Sequence, residues 1–158
     1  MSGQITQKKQ YKKIITNLIL TYYNKFAIVK GEVLYRIEFY EDERGISSIK
    51  DFITELNAKA KTDKIARINR DKIFVYLDLL KEHGTRIGMP IVKHLDGEIW
   101  ELRPLANRIL FAYYKDDVYV LLHSFVKKTN KTPKSEIKKA KREIEDYKRR
   151  QDNDANLG

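Results

Sequence analysis

Residues 93–133 read KHLDGEIWELRPLANRILFAYYKDDVYVLLHSFVKKTNKTP. Alternating apolar and polar residues, broken by turn residues, mark four strands at Ile91–Leu95, Ile99–Arg103, Arg108–Lys115 and Val118–Lys127. Asp96-Gly97 is a strong hairpin signal. Taking Pro104–Asn107 as a four-residue loop sets Arg103 opposite Arg108, Glu101 opposite Leu110 and Trp100 opposite Phe111. Taking Asp116-Asp117 as a two-residue loop sets Leu110 opposite His123 and Arg108 opposite Phe125. Side chains alternate between the faces of a sheet. One face is then apolar, with Trp100, Leu102, Ile109, Phe111, Tyr113, Val120, Leu122 and Val126. The other carries Glu101, Arg103, Arg108, Leu110, Tyr114, Tyr119, Leu121, His123, Phe125 and Lys127. A one-residue slip would move one strand's set to the wrong side.

Upstream, Val33–Tyr40 alternates and is rich in β-formers. A helix is expected from Ser47, with Ser48 and Asp51 as a capping pair and Ile49, Phe52, Ile53 and Leu56 on one side. A second starts near Thr62 or Asp63, carries Ile65, Ile68, Ile73, Tyr76, Leu77 and Leu80, and stops at Gly84. The two form an αα-hairpin packed on the apolar face. Downstream, Thr132 as N-cap and Pro133 as first helical residue open a last helix with Ile137, Ala140, Ile144 and Tyr147 inside. The fold class is α+β, a mostly antiparallel sheet with this hairpin on one face and a C-terminal helix.

Residues 1–30 form a basic extension whose residues 8–28 read as an amphipathic helix. Residues 31–150 form the domain, and 151–158 a frayed, disordered tail. The excess positive charge of +10 lies at both ends. Residues 1–30 contribute +6 and residues 127–150 contribute +7, while 31–126 are close to neutral. Such blocks suit an anionic polymer, although a solvated face would look the same. With no cysteine, disulfides, thiol nucleophiles and Cys-ligated zinc are excluded. The three histidines have no metal-binding spacing, so neither a metal site nor a cofactor is expected. The apolar run after KKQYKK is too short and too polar for a secretory signal, and no run reaches membrane-spanning length. The expected location is the cytoplasm, without a membrane partner.

Arg103 opposite Arg108 repels across the ladder unless Glu101 or a bound anion compensates. Arginine forks match phosphate geometry. Phe125 is placed to stack a base or to pack as a core aromatic. His123 is placed for proton transfer or as a hydrogen-bonded sheet histidine. Lys93, Lys131 and Lys134 extend the basic rim for RNA.

Residues Gly88-Met89-Pro90, Lys93-x-Leu95, Gly97-x-Ile99-Trp100-Glu101-Leu102-Arg103, Arg108, Leu121-Leu122-His123-x-Phe125-x-Lys127-Lys128 and Thr132-Pro133 together resemble the phage-related, HigB-like branch of the RelE/ParE toxin superfamily. The resemblance covers roughly residues 33–150. It implies a RelE-like fold and the toxin of a type II toxin–antitoxin system, an mRNA endonuclease that works on the ribosome without a metal. It also implies a helix-turn-helix, HigA-like antitoxin as cognate partner. In such chemistry a ribose 2′-OH attacks the adjacent phosphate. By position, Arg108 and Arg103 would hold the phosphate and Lys127 or Lys128 would serve the leaving oxygen. Glu101 stands where some relatives have lysine, so Glu101 or His123 would be the base. The alternatives are a ParE-like gyrase inhibitor and a non-catalytic RNA-binding protein.

Overall fold

A computed structural model describes residues 34–158. The expected extension and its helix lie outside the described residues. The chain runs β1 (Arg36–Phe39), α1 (Ser48–Lys59), α2 (Lys64–His83), a short 3₁₀ turn (Gly84–Ile87), β2 (Val92–Asp96), β3 (Ile99–Leu102), β4 (Asn107–Tyr114), β5 (Val118–Val126) and α3 (Lys134–Leu157). The five strands form one open sheet in the order β1-β5-β4-β3-β2. Only the edge pair β1–β5 is parallel.

Local chemistry explains the helix ends. Ser47, in extended backbone, accepts the Lys50 N–H at 3.3 Å and caps α1, one residue before the expected cap. Asp63 caps α2 by accepting the Ile65 and Ala66 N–H groups at 2.7 and 3.0 Å. Gly84 ends α2 at φ +63, and its N–H donates to Leu80 O. Ala66, Ile73, Leu77 and Leu80 are the buried face of α2. Ile65 and Ile68, expected in that stripe, are exposed. At 100° per residue Ile68 points about 140° away from Ile73, so it cannot share the inner line.

Two cores sandwich the sheet. On one face, Ile49 and Ile53 of α1 and Ile73, Leu77 and Leu80 of α2 pack on Leu102, Ile109, Phe111 and Leu121. On the other, Ala140, Ile144 and Tyr147 of α3 pack on Leu110, Ala112, Val120 and Leu122. The face read as polar from the sequence is therefore largely a second core under α3. Helix α3 also continues to Leu157, through residues expected to be frayed, and they are exposed along its last turns. Among the described residues no helix is long and apolar enough to cross a membrane.

The β3–β4 register is as expected: Trp100 pairs with Phe111 and Glu101 with Leu110. In β4–β5, Leu110 pairs with His123 and Arg108 with Phe125, also as expected. Beyond Leu110 the register shifts by one, so Phe111 pairs with Leu121 and Tyr114 with Val118. The turn is thus three residues, Lys115–Asp117, with Asp116 and Asp117 both at positive φ. A β-bulge at Leu122 absorbs the extra residue. The bulge corrects the facing of half a strand. Tyr119 and Leu121 face α1 and α2, and Val120 and Leu122 face α3, the reverse of the expectation. Val126 and Tyr113, expected in the core, are about half exposed.

Candidate functional site

Where β3, β4 and β5 approach the start of α3, the sheet opens into a cavity of about 480 Å³. Six cations line it: Lys93, Arg103, Arg108, Lys127, Lys128 and Lys131. Glu101, Phe125, Thr132 and Glu136 complete the part of the wall that bears on chemistry.

Glu101 stands at the centre of this wall and is almost fully buried. Its Oε1 lies 3.3 Å from Arg103 Nε and 3.5 Å from Arg108 Nε. Its Oε2 accepts the Thr132 hydroxyl. One carboxylate thus holds both guanidinium groups and the loop before α3. The like-charged pair foreseen across β3 and β4 is bridged from below, although β3 itself ends at Leu102. The backbone N–H of Arg103 instead donates to Ile91 O at 2.9 Å.

Arg108 is buried, and its Nη1 donates to Leu105 O at 2.7 Å and Asn107 O at 2.8 Å. Leu105, at φ +56, turns the β3–β4 loop so that its carbonyl meets the guanidinium. Burial lowers the pKa of Arg108 from its ordinary value; Glu101 opposes that and the charge of Arg103 adds to it. Arg103 Nη1 reaches only Met89 Sδ, a weak acceptor, at 3.1 Å. Its buried Nε makes no hydrogen bond, because the contact to Glu101 is close without being aligned. The Arg103 side chain is one-fifth exposed in a wall of cations, so its guanidinium is suited to an incoming anion.

The loop that follows β5 is anchored by the Lys127 N–H, which donates to Ala106 O at 2.8 Å. Thr132 does not cap α3, as its position suggested. It serves Glu101, and Pro133 takes the cap position, its carbonyl accepting the Glu136 and Ile137 N–H groups. Lys134 is exposed on the first turn of α3 and does not line the cavity.

His123 is also absent from the cavity wall. It is buried under α3, with Nε2 2.7 Å from Glu136 Oε2 and Nδ1 in contact with Glu143 Oε1. Both ring nitrogens are engaged, which leaves none to receive a substrate proton. Phe125 lies 6.3 Å from the His123 ring, tilted at 38° to it, and lines the cavity. Thus Glu101, Arg103, Arg108, Lys127, Lys128, Lys93, Phe125 and Lys131 come together, while His123 and Lys134 stand apart. Sequence reasoning missed Thr132, Glu136 and Glu143 as parts of this arrangement. The available signal was a pair of acids seven residues apart beside the apolar stripe of α3. Among the described residues no group of three or more His, Asp or Glu could hold a metal ion.

The family model described as phage derived protein Gp49-like (DUF891) matches residues 51–145, well over half of the chain. The chain belongs to this phage-derived Gp49-like family. No curated protein matches it. The Gp49-like match runs from α1 into α3 and spans every candidate site residue, whereas β1 precedes it.

Proposed function

We propose that this chain is the toxin of a type II toxin–antitoxin pair, of the HigB-like kind, and that it cleaves mRNA on the ribosome without a metal ion. The observation that carries the proposal is the Glu101-bridged arginine pair in a cavity lined by six cations. A phosphodiester fits that chemistry: two guanidinium groups hold its oxygens and neutralise the charge that builds up on the phosphorane. Phe125, on the cavity wall, offers an aromatic surface to a base. Lys127 or Lys128 would supply the proton to the departing 5′-oxygen. Of the two candidates for the base, Glu101 lines the cavity, where each engaged oxygen keeps a second lone pair, and His123 lies outside it with both nitrogens engaged. The partners in this reading are mRNA, the ribosome and a HigA-like helix-turn-helix antitoxin, and the place of action is the cytoplasm.

Mapping transcript 5′ ends after induced expression tests the proposal. Arg103→Ala is the cleaner substitution, since that side chain is one-fifth exposed and Arg108 is buried. It should slow cleavage by about 10²–10³ and relieve growth arrest. Cleavage by the unaltered protein should persist in excess EDTA on ribosomes whose integrity is kept separately. A folded Arg103→Ala protein, paired with a folded Arg108→Ala protein, that both still arrest growth would refute the reading. Growth arrest with no new 5′ ends but with broken chromosomes would favour a gyrase inhibitor.

A further inference from the structure

Two carboxylates line the cationic cavity, and neither is loose. Glu101 is held by the two arginines and Thr132, and Glu136 by His123. An unrestrained carboxylate there would compete with any anionic ligand for the same cations. We infer that His123 is a positioning residue that keeps the Glu136 carboxylate drawn back against the sheet, out of the path of a bound phosphate. The inference rests on the anion-site reading above and adds to it a part for a residue that does not touch the ligand.

The geometry supports this at each link. His123 projects from β5 just past the bulge, on the side covered by α3. Glu136 and Glu143 reach it from the first and third turns of α3, one on each ring nitrogen. Carboxylate oxygens only accept, so the two contacts need two protons shared over the three groups. Glu143 is buried, and its bond to Nδ1 fixes the ring plane and so the direction of Nε2. Nε2 then holds Glu136, whose side chain is about 29% exposed and borders the cavity. Glu136 lies four residues after Thr132, the ligand of Glu101. The clamp therefore sets both the charge presented by this wall and the seat of the loop that carries Lys127, Lys128 and Lys131.

The test is a double-substitution cycle with two probes. One is inorganic pyrophosphate; the other is a single-stranded RNA oligonucleotide with its reactive 2′-hydroxyl removed. His123→Leu removes both ring nitrogens and releases Glu136, and should weaken binding of both probes by about tenfold, since the freed carboxylate faces the anion in a partly desolvated site. Adding Glu136→Gln should restore binding to within about twofold of Glu136→Gln alone. A merely structural histidine would show no such rescue. If both proteins fold and the double variant binds no better than His123→Leu, the inference fails. If His123→Leu does not fold, Glu136→Gln in the otherwise unaltered chain carries the test. A drawn-back carboxylate predicts less than about a threefold change in pyrophosphate affinity, and a gain of tenfold or more overturns it. Rescue with pyrophosphate and no binding of the oligonucleotide would sink the RNA reading and leave the clamp standing. Binding of neither probe to the unaltered protein would overturn both.

Discussion

Replacing Glu101 with glutamine keeps the shape of the side chain and removes the charge on which two arginines converge. Removing one partner of a buried ion pair costs about 3–5 kcal/mol, most of it from the charge left behind. Here the lower end applies. Arg108 keeps the Leu105 and Asn107 carbonyls at 2.7 and 2.8 Å, and Arg103 retains some solvent. We expect a loss of about 3 kcal/mol, or roughly 12 °C in Tm for a domain of this size. Urea unfolding of Glu101→Gln should show a lower midpoint at an unchanged slope. Inorganic phosphate at about ten times its Kd should return about 1.4 kcal/mol to the variant, by binding only the folded state. Glu98→Gln serves as the control. Its pairing with Lys148 is partly exposed on both sides, and its loss should cost under about 1 kcal/mol. If Glu101→Gln lies within 1 kcal/mol of the parent, or that same phosphate concentration stabilises parent and variant equally, then Glu101 is not what holds the arginine pair, and the account of the site is wrong.

Two further expectations follow from other parts of the fold. Gly84 sits at φ +63, and a methyl group there would lie 2.8 Å from Tyr119 Oη and 2.9 Å from the Tyr35 ring; Gly84→Ala should therefore destabilise by about 1–3 kcal/mol in thermal unfolding, and a neutral result would contradict the packing of α2 against β5. Tyr40 donates to Asp146 Oδ2 at 2.9 Å, and burial, that bond and the nearby negative charge push its pKa up to about 12; because the folded value is raised above the unfolded one of about 10, its contribution is complete below pH 10 and is lost as pH rises through about 12. In Tyr40→Phe the stability loss between pH 10 and 12 should be shallower than in the parent, and identical slopes would show that the bond from Tyr40, just after β1, to α3 does not form in solution.

Turn chemistry and alternation were enough to place the four strands from residue 91 onward and the pairings that matter most to the site. The four-residue Pro104–Asn107 loop gives the observed β3–β4 register, because a short loop leaves few ways to pair. The clustering of Glu101, Arg103, Arg108 and the lysines after β5 follows from that register and was legible in the residues. The Leu110–His123 pairing was reached by two local misreadings that cancel: a three-residue turn in place of two, and an unforeseen bulge at Leu122. Neither has a mark in the sequence, since Asp116 and Asp117 tolerate positive φ in either turn and an apolar bulge residue looks like any strand residue. The family match, over residues 51–145, covers the same segment.

What the tertiary structure alone decided is which face each helix covers. An amphipathic stripe states that a helix must bury one side; it does not say against what. Once α3 lies across β4 and β5, His123 passes from an open face to a buried one and meets Glu136 and Glu143, and Thr132 turns from a cap into a ligand of Glu101. These contacts join residues 13, 20 and 31 positions apart, on elements whose relative placement depends on the whole core. Charge, the β3–β4 pairing and the arginine pair were properties of short stretches of chain. The partners that restrain them came from long-range packing, where the cost of burying a charge is met only when the other elements have closed around it.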